Sequence, residues 1–226
     1  MCLAGKEKDM MKILIDAGHG GKDSGAVNGS IYEKDIALDI ALRLGGLLKG
    51  RGHEVVFSRN DDTFVSLNGR VALANSTCAD IFISIHTNSA VNKDASGMEV
   101  LVFDKNERLG EVLHKHLSAD LGLTDRGIKE RKDLAVLNGT KMPAVLVETA
   151  FLSNEYEKEL LMSASFRQRC AEAMLKGVEE YFKREEKSFE QTRKEVQQKY
   201  GFDDNTMLYL EMYRYGEALI KRLSLR

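Results

Sequence analysis

The sequence predicts an α/β protein: a three-layer domain whose mostly parallel, twisted sheet of about six strands carries helices on both faces, with a small helical appendage at the C-terminus. Three observations lead there. The runs Ile13-Leu14-Ile15, Ile81-Phe82-Ile83-Ser84-Ile85 and Ala144-Val145-Leu146-Val147 are continuously apolar rather than alternating, as strands buried on both faces are. Segments with helical spacing lie between such runs. The chain has 226 residues, 43% of them hydrophobic, enough for one sizeable core plus an appendage.

Taken in order, residues 1–10 are polar and read as a flexible N-terminal segment. The first strand runs through Ile13 to Ile15 into a glycine-rich turn, Gly18-His19-Gly20-Gly21. A helix from Glu33 to Leu48 carries Ile36, Ile40, Leu44, Leu47 and Leu48 on one face and stops at Gly50 and Gly52. Glu54 to Phe57 is the second strand, and Leu67, Val71, Leu73 and Ala74 mark the second helix. The strand Ile81 to Ile85 delivers His86, and Gly97 to Phe103 is another strand. A helix spans Glu107 to Leu121 before Gly122, and Leu134 to Leu137 reads as a short strand. Pro143 opens the last strand, where a missing N–H is tolerated. Phe166 to Phe182 closes the unit as an amphipathic helix.

After Phe182 the composition changes. Residues 183–200 are dense in charge, with Phe189, Val196 and Tyr200 on one narrow stripe, and Gly201 breaks them. A further helix follows, carrying Leu208, Met212, Tyr215, Leu219 and Leu223 at near-heptad spacing. The boundaries are therefore 1–10, 11–183 for the main domain, and 184–226 for a helical hairpin. So small a hairpin must pack on its own domain, on a copy of itself as a homo-oligomer, or on another partner.

The formal charge of −2 gives no argument for nucleic acid, and no run is long enough for membrane insertion. Residues 1–9 lack an apolar signal core, so the expectation is cytoplasmic synthesis without a signal peptide. Cys2, Cys78 and Cys170, odd in number and without metal-type spacing, suggest reduced thiols.

The chemistry gathers at strand ends. His19 and His86 each follow an apolar run, Glu148 follows a third, and Glu33 opens a helix that starts near the same edge. If the strands are parallel, all four meet at one edge of the sheet. Two imidazoles and one carboxylate make a good Zn²⁺ site with a fourth position open, and the remaining carboxylate would be left to act as a general base. Asn88, two residues past His86, could hydrogen-bond a substrate or only shape the turn. Glu99 could equally line the cleft or face solvent. A phosphate-loop reading of Gly18 to Lys22 fails, because Asp23 rather than Ser or Thr follows the lysine.

Six pieces carry a resemblance: Asp16-Ala17-Gly18-His19-Gly20-Gly21; Glu33-Lys34-Asp35; Arg59 with Asp62-Thr63-Phe64-Val65-Ser66-Leu67; Ser84-Ile85-His86-Thr87-Asn88; Gly97-Met98-Glu99-Val100; and Pro143 to Glu148, with Phe151-Leu152-Ser153-Asn154 after it. In this order they resemble the Amidase_3 type of zinc-dependent N-acetylmuramoyl-L-alanine amidase, found among bacterial autolysins and phage endolysins. Ala17 stands where the family usually has proline, and neither this nor Thr149-Ala150 touches a ligand. The resemblance implies that His19, Glu33 and His86 are the zinc ligands and Glu148 the catalytic carboxylate. It implies hydrolysis of the amide joining N-acetylmuramic acid to L-alanine in peptidoglycan; without a signal peptide, the expectation is that the enzyme reaches the wall through a holin or on release at lysis. The alternatives are a zinc metallopeptidase acting on ordinary peptide bonds and a wall-binding module without catalysis.

Overall fold

The computed structural model describes residues 10–105, 107–212 and 220, without the side chains of 184–190 and 212. The elements in chain order are β1 (Lys12–Ala17), the hairpin β2 (Val27–Asn28) and β3 (Ile31–Tyr32), α1 (Glu33–Gly50), β4 (Glu54–Phe57), α2 (Leu67–Thr77), β5 (Ile81–Asn88) and β6 (Met98–Val102). Then come α3 (Arg108–Leu121), β7 (Asp125–Glu130), α4 (Ala135–Gly139), β8 (Ala144–Phe151), α5 (Glu155–Met162), α6 (Ala164–Tyr200) and α7 (Asp204–Met212). The expected flexible segment falls on residues 1–9, outside those described, apart from Met10.

The six-stranded sheet has the order β4-β1-β5-β8-β6-β7, and every pair is parallel except β6 with β8. The chain leaves β1 for β4 on one side and returns to β5 on the other, so the strand order reverses between β1 and β5. A crevice opens at the carboxyl ends of strands at such a point.

Alternation along the strands sorts the core into two faces. Leu14, Phe82, Leu101 and Leu146 point one way and pack with Ala74 of α2 and with Val136 and Leu137 of α4. Residues of the other parity, such as Ile13, Ile15, Ile83 and Val147, are fully buried on the opposite face. There Gly110 of α3 lies against Val102 and Val100, where a Cβ would come within 2.5 Å of the Val102 side chain. Helix α6 buries Phe166, Cys170, Met174 and Val178 at helical spacing, and α3 ends on Gly122 in the left-handed region, as its sequence predicts.

Three expectations change. Leu134 to Leu137 is not a strand: α4 occupies it, tucking Val136 and Leu137 against α2. The sixth strand is instead β7, a polar segment at the sheet edge, where charged residues are the rule. Helix α6 also runs on past Phe182 to Tyr200, because Lys, Glu, Arg and Gln favour helix and nothing in 183–200 stops it. Cys78 is disulfide-bonded rather than reduced, while Cys170 is free and buried.

The chain forms two compact units, Met1–Val178 and Glu179–Arg226. In the second, Val196, Met207 and Ile220 are buried, with Phe202 and Leu210 packed against them. Of the expected apolar stripe, Leu208 is 54% exposed, and Tyr215, Leu219 and Leu223 lie outside the described residues.

Candidate active site

The covering of α2 and α4 over one face of the sheet gives out towards the strand ends, and there the polar residues begin. Asp16 and Ser84 are paired across β1 and β5, and the next row holds His86, Glu148 and Glu99 on β5, β8 and β6. Directly opposed residues point to the same face, so these three side chains share it.

His19 reaches the row from the turn after β1. Its backbone is left-handed, φ 58°, a conformation that a residue with a Cβ seldom adopts without outside support. Two arginines supply that support. Arg70 is ion-paired with the buried Asp16 and donates to the carbonyls of Ala17 and His19. Arg59 donates to the carbonyls of Ala17 (3.0 Å), Gly18 (2.6 Å) and Lys34 (2.8 Å). Ser84 Oγ, 2.7 Å away, donates to the other oxygen of Asp16.

Two glycines are set by close approach. A Cβ on Gly18 would lie 2.3 Å from His86 Cε1, and one on Gly25 would lie 2.6 Å from both Glu33 Oε2 and His19 Cδ2. Only glycine lets the loop close over the imidazoles and the carboxylate.

Glu33, at the start of α1, is buried between the two rings. His86 Nδ1 lies 2.8 Å from Oε1 and His19 Nε2 lies 3.2 Å from Oε2. The backbone N–H of Ala26 and of Thr87 also donate to it, at 2.8 and 3.1 Å. The rings stand edge to face with centroids 4.9 Å apart. One ligand atom from each of His19, Glu33 and His86 falls within 4.8 Å of the others, a set that could hold a metal ion. Burial disfavours charge on Glu33, yet the two imidazoles outweigh it and hold its carboxyl well below the usual range. Burial likewise lowers His19, but Glu33 and Asp23 outweigh it and push the imidazole up to about 9.

Glu148 differs. Its Oε2 is buried with no hydrogen-bond partner. Burial, together with the anions Glu33 and Glu99, pushes its carboxyl up to about 7 against the opposing pull of His86. A buried acceptor left unpaired is costly and calls for an explanation. Asn88 lies beside this row: its amide N–H donates to Glu99 Oε1 at 2.9 Å and its Oδ1 accepts from the Ser89 N–H at 2.8 Å. Beside His19, a cleft of about 400 Å³ is walled by Asp23, Phe64, Val65 and Leu67.

The sequence therefore brings His19, Glu33, His86 and Glu148 together as expected, while giving no role to Asp16, Asp23 or Arg70. A signal was present: Asp16 is a charge inside a buried strand run, and such a charge needs a partner. Glu99 is settled as buried, in the row with Glu148.

The Amidase_3 family model, described as N-acetylmuramoyl-L-alanine amidase, matches residues 13–180. The N-acetylmuramoyl-L-alanine amidase LytC of Bacillus subtilis is 40% identical over 177 residues, 76% of this chain and 35% of LytC. The endolysin of Bacillus phage SPP1 is 37% identical over 186 residues, 78% of this chain and 68% of the endolysin. The solved catalytic domain of CwlV, an N-acetylmuramoyl-L-alanine amidase from Bacillus (Paenibacillus) polymyxa var. colistinus, is 40% identical and superposes with a TM-score of 0.74, covering 77% of this chain and 99% of that domain. With this site on this sheet, and a family match over most of its length, the chain belongs to the Amidase_3 family of N-acetylmuramoyl-L-alanine amidases.

Proposed function

We propose that this protein is a Zn²⁺-dependent enzyme that hydrolyses the amide between N-acetylmuramic acid and L-alanine in peptidoglycan, with His19, Glu33 and His86 as the metal ligands and Glu148 as the general base. One observation carries the reading: three donor groups converge around one point, and a carboxylate with an unpartnered buried oxygen stands in the same row.

The residues fit the metal. Two imidazole nitrogens and one carboxylate oxygen are a donor set that suits zinc, and three protein ligands leave a position for water or substrate. Bound there, zinc would supply Lewis-acid polarisation of the amide carbonyl and make water more acidic. Glu33 balances positive charge at that point, and the Arg59 and Arg70 contacts fix the direction of His19. Glu148, buried beside His86 with one carboxylate oxygen unpartnered, is placed to take a proton from the attacking water and to return it to the leaving amine. Catalytic groups come from residues 11–183; residues 184–226 serve association or docking.

Digestion of purified peptidoglycan followed by mass spectrometry tests this reading. It predicts released stem peptides with a free L-alanine N-terminus and an intact glycan. Cleavage inside the stem would instead favour a metallopeptidase, and absence of any cleavage a binding module.

A further inference from the structure

We infer that Arg126 and Lys129 on the edge strand β7 form a subsite for a carboxylate on the peptide side of the scissile amide. The inference rests on the amidase reading above and fixes which way the substrate lies across the sheet.

The row His86, Glu148, Glu99 leads from β5 across β8 to β6, and β7 is the next strand. Lys129 pairs with Leu101, two residues beyond Glu99, so its side chain lies on the same face as the row. Arg126 sits where the register of β6 and β7 shifts, and both cations reach Glu99 Oε2, Arg126 Nε at 2.9 Å. Asn88 occupies the other oxygen of Glu99. One buried carboxylate thus holds two cations, leaving one positive charge in excess. The side chain of Glu99 is 8% exposed, against 33% for Arg126 and 41% for Lys129, so the excess faces the solvent side. The neighbouring cations do not share this imbalance, since Arg131 pairs with Asp133 and Lys132 with Glu130. Arg126 is further held by the Ser96 carbonyl at 3.2 Å and by the face of Phe151, 4.9 Å from its guanidinium carbon.

The spacing suits a short peptide. Neighbouring strands lie about 4.8 Å apart, and the two cations meet over Glu99 on β6, two strands and roughly 10 Å from β5. An extended peptide advances about 3.4 Å per residue, which brings the second or third residue after the cut amide over Arg126 and Lys129. The opposite side of the site is unlike this. There the cleft beside His19 presents Asp23, 47% exposed, with Phe64 and Leu67 at 40% and 59%. Asp23 is already paired with His19 Nδ1 at 3.0 Å, and Lys22 lies over the Phe64 ring, 4.7 Å from its centroid. The two cations gathered on one carboxylate lie on the β7 side, and the peptide is directed there.

The test is steady-state kinetics of the full-length protein with zinc on two soluble muramoyl-peptides that differ only in the carboxyl of the second and third residues, free or amidated. Lys129→Gln and Arg126→Gln should each raise KM for the free acid roughly tenfold with kcat little changed, the scale of a lost charge-assisted contact. The amidated substrate should show no such rise, and Lys129→Arg should restore the parent KM. Equal losses on both substrates, with the arginine variant giving no rescue, would mark the triad as merely structural and overturn the subsite. So would unchanged KM in both variants. If the parent cuts neither substrate, the amidase reading itself falls and takes the subsite with it.

Discussion

The two compact units of the chain differ in how firmly burial fixes them, and the chemistry follows that difference. In the first, β1, β5 and β8 contribute Leu14, Ile15, Phe82, Ile83, Val145 and Val147 at 0% exposure, and the site begins where those strands end. In the second, Val196, Met207 and Ile220 are buried while Tyr209 is 84% exposed. A constellation that must hold two imidazoles and two carboxylates in fixed register needs the first kind of support.

The comparison breaks most visibly if the first unit proves indifferent to metal. Chelation should abolish hydrolysis of a soluble muramoyl-peptide, a loss of about 10³-fold or more, and zinc should restore it. The metal-free protein should also show a defined pH dependence. His19 is pushed above its ordinary 6.5 to about 9, so its proton contributes stability that is fully present below 6.5 and is lost as pH rises through 9. Thermal melts of the apoprotein should therefore fall in midpoint across that window, and the stabilisation gained on adding zinc should grow with pH, because the proton no longer competes. A flat apoprotein profile would contradict the contact between His19 and Glu33.

The next effect is on stability rather than chemistry. Arg70→Met leaves Asp16 buried without its cation, a loss of about 3–5 kcal/mol that denaturant unfolding would read. A variant as stable as the parent would show that the turn carrying His19 does not depend on this pair. The smallest effect belongs to the second unit. A chain ending at Glu185 should hydrolyse the soluble substrate as the parent does, while light scattering reports any lost association and lysis of intact walls falls. Loss of soluble-substrate hydrolysis would mean that residues 186–226 support the first unit.

How much of this was legible in the sequence depended on burial as well. Strands β1, β5 and β8 announced themselves because residues buried on both faces must all be apolar. Strand β7, Asp125–Glu130, did not, since an edge strand is free to be charged and its pattern reads as loop. Leu134 to Leu137 misled for the reason that four apolar residues carry no decisive period. The charge-rich 183–200 suggested a boundary where the helix continues, because charge density alone does not end a helix. In the site, His19, Glu33, His86 and Glu148 were readable from their places after strands and at a helix start. The Asp16–Arg70 pair and the union of Glu99 with Arg126 and Lys129 were not, for each joins elements whose register appears only in the folded sheet.

The most direct measurement separates holding the metal from moving the proton. His86→Ala and Glu148→Gln are purified in parallel, and metal content and hydrolysis of the soluble muramoyl-peptide are determined on the same samples. The account predicts that His86→Ala loses most of its zinc, whereas Glu148→Gln keeps about one ion per chain and loses activity by ~10²-fold or more, the scale of a missing general base. Full zinc occupancy in His86→Ala, or near-parental activity in Glu148→Gln, would contradict it.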